Sequence, residues 1–323
     1  GAVLVMYDGN LAYPAVDRLW SLAERAQLQQ FGGGAAYYIA GMKAGLEPGK
    51  QFDLSPLKAI GSTGSPLPEE GFEWIYNSVK DDVWLISMSG GTDIASAFIG
   101  SSPLLPVYSG EIQCRLLGVD VRALDDAGNA LVDEVGEMVI TQPMPSMPIY
   151  FWNDADGKKY HKEYFEKFPG GWTHGDFIEI TVRGGIIVYG RSDTVLNPGG
   201  VRIGTAEIYR PVEEMKEIED SLVVAQPWES DVRIVLFVVL RDGIRLDENL
   251  VAKIKTVIRS DTTPRHVPAR ILAIPDVPRT ISGKKVEKAA LQTIKGEDID
   301  NTSALANPGS LEHFSKLSEE LRK

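Results

Sequence analysis

The order of patterns along the chain predicts an α/β protein in two parts: a larger α/β sheet with a β-rich subdomain, then a small α+β domain. Three observations carry this. Strand, glycine loop and helix alternate through residues 1–93, the pattern of a sheet with ligand loops at its strand ends. Short strand-like runs grouped around the turn Asp125-Asp126-Ala127-Gly128 follow. A helix–strand–strand–helix–strand series then fills roughly a hundred residues, an ordinary domain size. The total of 323 residues agrees with two domains at roughly 100–200 residues each.

Taken in order, the chain opens in a strand-like run at 2–7. Val16, Leu19, Trp20, Ala23 and Ala26 then fall at the spacing of one buried helix face, with Pro14 just ahead of them. A second helix is predicted over 35–44, stopped by Gly45. Residues 58–60 read as a short strand running into the loop 61–66. Helix 68–79 carries Phe72, Ile75 and Val79 on one side, and strand 83–88 empties into 89–93. Short strands occupy 110–141. Two more, at 177–182 and 185–189, precede a glycine-rich stretch around 190–204. Beyond it come a helix (205–215), two strands (221–225 and 233–240), a helix (247–259), a strand (269–274), a hairpin-like loop and a last helix. The joint is placed near Arg191–Asp193. The parts are therefore 1–192, 193–300 and a tail, 301–323, with one amphipathic helix.

Composition narrows the function classes. With 43% hydrophobic residues the chain can bury a sizeable core, which excludes disorder for most of its length. Its longest purely aliphatic and aromatic run, from Ile234 to Leu240, is far short of the roughly 20 residues of a membrane span. The first residues show no signal-peptide pattern. Cys114 is the only cysteine, so no disulfide within the chain and no cysteine-rich metal site can form, and a reducing cytoplasm is the expected compartment. A formal charge of −12 argues against a nucleic-acid or anionic-membrane partner. Residues 251–290 nevertheless hold nine basic and three acidic residues, a local +6 against −18 for the rest. That segregation suits a small anionic ligand; a solvated basic face would look the same.

Four loops and a hairpin could carry chemistry. The glycines of 61–66 let backbone amides approach a planar ring or a phosphate, as would any tight turn without a ligand. Ser89-Gly90-Gly91-Thr92-Asp93 sets a hydroxyl beside a carboxylate, the usual pairing for Mg²⁺ near nucleotide phosphates; a helix cap is the alternative. In Trp172-Thr173-His174-Gly175-Asp176 the acidic residue could accept from two ribose hydroxyls, or the segment could be a surface turn with His174 bonding locally. Arginine alternates with glycine from Gly190 to Gly204, which suits phosphate or ribose contacts and a bend between domains. Finally, Pro278-Arg279-Thr280-Ile281-Ser282-Gly283-Lys284 puts a lysine on a small turn, where it could deliver a point charge or stay merely solvated.

In this order, together with Met144-Pro145-Ser146-Met147-Pro148, these stretches resemble the adenylate-forming superfamily of acyl-coenzyme A synthetases, adenylation domains and luciferases. The resemblance spans nearly the whole chain. It implies that the first part is a portion of a large adenylation domain and the second a small mobile C-terminal lid. It also implies the chemistry: a carboxylate attacks the α-phosphate of ATP, giving an acyl-adenylate and pyrophosphate. The lid then swings, and the thiol of coenzyme A displaces AMP. By resemblance, Gly64, Ser65 and Pro66 line the adenine, Thr92 lies by the nucleotide, and Asp93 takes the Mg²⁺-binding position. Asp176 and Arg191 match ribose contacts, Arg202 a residue near the phosphates, and Asp193 the hinge. Gly200 matches the glycine beside the pantetheine tunnel, Arg259 a coenzyme A contact, and Lys284 the catalytic lysine of adenylation.

The resemblance bears on the acid too. Gly90, with Gly91 in the acyl pocket, stands where acetate-using relatives carry a tryptophan, so a longer acid, acetoacetate, is expected; backbone packing is the other reason for a glycine there. Two features depart from the family. Its phosphate-gripping loop is absent, which predicts a fragment that adenylates poorly without an upstream half. Gly32-Gly33-Gly34-Ala35-Ala36 is richer in glycine than relatives usually are near that pocket. A non-catalytic acyl-adenylate binding module, or a ligase for another short or branched acid, stays open.

Overall fold

Trp20, fully buried and stacked on Phe31 with ring centroids 4.5 Å apart, anchors the first layer. The structure is a computed structural model that describes residues 1–192, 196, 203–229, 231–281, 283–299 and 302–321. Trp20 lies on helix α1 (Arg18–Arg25), whose Leu19, Trp20 and Ala23 turn inward as their spacing requires. Phe31 lies on strand β1 (Gln30–Gly34), which leads directly into α2 (Ala35–Lys43), with Tyr38 fully buried. After a single turn, α3 (Pro48–Gln51), come β2 (Ala59–Thr63), α4 (Glu69–Trp74) with a π-helical turn at Ile75–Val79, and β3 (Trp84–Ser87). The strands form a parallel sheet in the order β1-β2-β3.

Antiparallel structure follows. β4 (Ser89–Gly91), β5 (Ser96–Gly100) and β6 (Cys114–Arg115) make one sheet. A second is built from β7 (Val121–Leu124), β8 (Ala130–Leu131), β9 (Val135–Ile140), β10 (Trp172–Ile180) and β11 (Ile186–Arg191), in the order β11-β10-β9-β7-β8. Asp125 closes the turn between β7 and β8 by accepting from the Ala127 and Asn129 amides at 2.9 and 2.8 Å. Helix α5 (Lys158–Phe165) sets Tyr164 flat on Trp172, centroids 3.6 Å apart.

The chain divides into two compact units, 1–174 with 178–188, and 175–177 with 189–323. The second is a three-stranded sheet between two helix layers. It contains α6 (Thr205–Glu213), β12 (Ile218–Trp228), β13 (Asp231–Leu240), α7 (Glu248–Asp261), β14 (Arg270–Ala273), α8 (Glu287–Lys295) and α9 (Leu311–Leu321). β12 pairs antiparallel and β14 parallel with the central β13. Ile234, Leu236 and Val238 pack with Ile208 and Val212 of α6 and Ile254 and Ile258 of α7. Val235 and Phe237 face the other way, against Ala290 and Ile294 of α8 and Phe314 of α9. Both faces of β13 are covered, which is why its sequence reads as an unbroken apolar run rather than an alternation.

Several sequence expectations are corrected. Residues 2–7 form no strand; Val3 and Leu4 stand 90% and 80% exposed, and no strand among the described residues pairs with them. Gly32-Gly33-Gly34 forms the end of β1, a strand that the sequence does not predict, because a glycine run accepts ladder hydrogen bonds while offering no hydrophobic period to read. Residues 61–63 belong to β2 and 89–91 to β4 rather than to loops, and 172–176 belong to β10 rather than to a turn. Helix α5 was not anticipated; only Tyr164 of it is buried, too little to leave a face in the sequence.

Candidate functional site

In the first unit the candidate residues cluster where the parallel strands end, the usual ligand edge of such sheets. β2 runs out into Gly64, Ser65 and Pro66, all exposed, and Gly64 takes φ +89°, a conformation open to glycine at little cost. The Tyr38 hydroxyl donates to the Gly61 carbonyl at 2.7 Å beneath them. A Cβ on Gly33 would crowd that hydroxyl at 3.1 Å, so the glycine run of β1 makes room for Tyr38. Met88 donates to the Ser62 carbonyl at 3.0 Å and carries the β2–β3 pairing to the start of the next segment.

That segment is a hairpin, β4 to β5, with Thr92 and Asp93 exposed in its turn. Gly90 lies so close to β5 that a Cβ would overlap the Ser96 carbonyl oxygen and sit 2.8 Å from the Ala97 Cα. Backbone packing is thus a sufficient reason for that glycine. A Cβ on Gly91 would meet His174 Cε1 at 2.8 Å. His174 itself packs edge-on to Phe98, centroids 4.5 Å apart, and accepts from Trp172 Nε1 at 3.4 Å, a local role. One oxygen of Asp93 accepts a short hydrogen bond from the Tyr164 hydroxyl. The carboxylate is thereby oriented by a residue 71 positions away, which no local spacing announces. Among the described residues no three His, Cys, Asp or Glu side chains converge as a metal cage. Asp93 and its sequence neighbour Thr92 offer a carboxylate and a hydroxyl, oxygen donors of the kind Mg²⁺ takes beside phosphates and waters.

In the second unit, Asp176 is 9% exposed and lies 3.7 Å from Arg191 Nη1, so the two predicted ribose contacts come together. The guanidinium covers Gly175, where φ is +84° and a Cβ would stand 2.8 Å from Arg191 Nη2. Arg259 is exposed in the last turn of α7. Asp193, Gly200 and Arg202 lie outside the described residues.

Lys284 ends a small hairpin. The Thr280 amide donates to the Lys284 carbonyl at 2.8 Å, the Lys284 amide to Thr280 Oγ1 at 3.0 Å, and Gly283, at φ +84°, donates to the Thr280 carbonyl at 2.8 Å. The lysine is exposed, and no acceptor among the described residues takes its ammonium. Its neighbour Lys285 points inward instead, pairing with Glu213 and, at 2.9 Å, with Asp220, with its ammonium 3.9 Å from the Tyr209 ring centre. The Tyr209 hydroxyl donates to Glu287 at 2.8 Å, and burial, followed by the Glu287 charge, raises its pKa well above the usual phenol value. Asp220 also holds Arg279. Burial pushes its carboxyl up, but the Lys285 and Arg279 charges outweigh this and hold it below the usual carboxylate range.

These features define a class. The fold is that of the C-terminal part of adenylate-forming enzymes, and residues 212–284 match the AMP-binding enzyme C-terminal domain, a stretch that ends on Lys284. A solved anthranilate CoA ligase, AuaEII, in complex with anthranoyl-AMP shares the fold at TM-score 0.73 and 21% identity, over 91% of this chain and 54% of its own. Within the class the chain is similar to acetoacetyl-CoA synthetases along nearly its whole length. It is 50% identical over 99% of its residues to that of Rhizobium meliloti (strain 1021), and 44% identical over 99% to that of Xenopus tropicalis. These alignments take in 49% and 48% of the relatives. The structure of acetoacetyl-CoA synthetase from Streptomyces lividans superimposes with TM-score 0.90 at 42% identity, covering 98% of this chain and 49% of that one. The chain thus spans about half the length of the curated relatives it matches. Among the described residues no helix is long and apolar enough to cross a membrane.

Proposed function

We propose that the chain is the lysine-bearing half of an acid–thiol ligase that converts acetoacetate to acetoacetyl-CoA through an acyl-adenylate, consuming ATP. The observation that carries this is Lys284: an exposed ammonium that no acceptor among the described residues takes, on a hydrogen-bonded hairpin, at the end of a matched AMP-binding enzyme C-terminal domain. The acid is proposed from the names of the relatives at 50% and 44% identity; Gly90 adds little, since strand packing already accounts for it.

In this reading the acetoacetate carboxylate attacks the α-phosphorus, pyrophosphate leaves, and the coenzyme A thiol then displaces AMP. Gly64, Ser65 and Pro66 form the wall against which adenine stacks, and Thr92 lies beside the phosphates. Asp176 accepts hydrogen bonds from the ribose with Arg191 beside it, and Gly90 and Gly91 border the acyl group. Lys284 brings its charge to the oxygens of the transferring phosphoryl group, where charge changes most during attack. Asp93 would hold Mg²⁺, which supplies charge neutralisation at the phosphates. Arg202 serves the phosphates, Asp193 the hinge, and Gly200 and Arg259 coenzyme A. The single cysteine, Cys114, is a free thiol and suits a reducing cytoplasm.

Full activity is assigned to this chain together with an upstream half like that of its relatives. The test is acetoacetate-dependent exchange of labelled pyrophosphate into ATP, by the chain alone and by the chain joined to the amino-terminal half of the Rhizobium relative. Exchange only in the joined protein is the expected result. No exchange in either would instead mark a binding module, and exchange with butyrate but not acetoacetate would change the acid.

A further inference from the structure

The base of the Lys284 hairpin poses an electrostatic problem. Arg279 and Lys285 face each other there as an antiparallel bridge pair, and like charges directly opposite destabilise such pairs. Asp220 resolves it. One of its oxygens accepts from the Arg279 guanidinium; the other lies 2.9 Å from the Lys285 ammonium and accepts from the Ser221 amide at 2.8 Å. Its side chain is only 17% exposed. It comes from β12, beside a register shift between Ile218 and Asp220, and such bulges re-aim a side chain. Arg279 in turn donates through Nη1 to the Gly283 carbonyl at 2.7 Å, so the hold on the base is passed to the residue before Lys284.

We infer that Asp220 is a positioning residue: by holding both cations at the base of the hairpin, it fixes the place from which Lys284 presents its ammonium. Lys284 has no tether of its own among the described residues, so its backbone is what sets its reach. The same hairpin is fastened on its other side by the tail, where Ala306 donates to the Arg279 carbonyl at 2.8 Å and Arg279 donates to Asn307 Oδ1 at 2.8 Å. That fastening does nothing to offset the two facing charges; of the two cations Glu213 pairs with Lys285 alone, and Asp220 is the described carboxylate that pairs with both. The inference rests on the adenylation role proposed for Lys284.

The test uses Asp220→Asn, which keeps the size and removes the charge, and reads it in two ways. In the 323-residue chain, amide hydrogen exchange at Thr280, Gly283 and Lys284 should speed up about tenfold while Val235 to Val238 of β13 keep their protection. Unchanged protection at the three hairpin amides overturns the inference. In the protein joined to the upstream half, kcat for pyrophosphate exchange should fall about tenfold with KM for ATP within twofold, because the loss falls on the transition state. Formation of acetoacetyl-CoA from supplied acyl-adenylate should fall far less. Equal losses in both half-reactions would mean general damage to the unit and overturn the positioning role. Lys284→Ala separates the two ideas. If it exchanges at the wild-type rate, the adenylation reading fails and the positioning role falls with it. If it is dead while Asp220→Asn keeps wild-type kcat, only the positioning role falls.

Discussion

Two hairpins carry the candidate chemistry, and they are held in opposite ways. At the β4–β5 hairpin the functional side chain is itself tied: Asp93 bonds to Tyr164, and Gly90 and Gly91 leave no space around the strand. At the 280–284 hairpin the functional side chain has no partner among the described residues and the frame is tied, through Arg279, Lys285 and Asp220. The difference follows from the jobs proposed. A carboxylate that waits for a cation gains from a fixed direction, whereas a lysine that serves one half-reaction and withdraws needs a fixed base and a loose end.

Breaking each hairpin in turn sharpens the contrast. Lys284→Ala should have the largest effect: exchange in the joined protein falls roughly 100-fold, as for loss of one preorganised donor to a charged transition state. Its stability should shift by less than about 0.5 kcal/mol, since the side chain is exposed. A thermal melt displaced by more than a few degrees would mean the lysine is structural. Gly90→Ala is next and has the opposite signature. Its Cβ meets backbone that cannot swing aside, so urea unfolding should show a loss of about 2 kcal/mol. A wild-type midpoint would return Gly90 to the acyl-pocket account.

Tyr164→Phe removes a hydrogen bond to a charged group and should cost about 1.5 kcal/mol at most, while weakening the Mg²⁺ dependence of exchange. An unchanged Mg²⁺ titration would detach Tyr164 from the site. The smallest effect is expected from acid. Asp220 has a depressed pKa in the folded chain, so its contribution is complete above the ordinary aspartate value, about 4, and is lost as pH falls through the lower folded value. Asp220→Asn should therefore lose less stability than the parent chain does as pH falls below about 4, the ordinary aspartate value. Parallel acid profiles would show that the carboxylate is not paired as described.

How much of this the sequence discloses depends on whether the information is local. Helix α1 declares itself through the spacing of Leu19, Trp20 and Ala23, and β13 through its unbroken apolar run. Glycine misleads. The residues of β4 read as loop although their backbones sit in a ladder, and Gly32, Gly33 and Gly34 give β1 no pattern to read. The motif loops around Gly64, Asp93, Asp176 and Lys284 stand out through residue type and order alone. Their supports do not. Tyr164 is 71 residues from Asp93, Asp220 is 59 from Arg279, and Asn307 is 28 from it, so only the folded chain brings them together. Asp220 would pass in sequence for one more surface acid.

The packing of α9 has a practical bearing on how the protein can be handled. Phe314 stands edge-on to Phe237, centroids 4.8 Å apart, and with Leu321 it closes the outer face of the central strand. A protein shortened ahead of Leu311 would lay bare Val235 and Phe237 within seven consecutive β-prone apolar residues that contain neither charge nor proline. Such a window is a seed for intermolecular strand pairing. The last helix thus serves as a solubility cover, and preparations that have lost it to proteolysis should precipitate before they lose secondary structure.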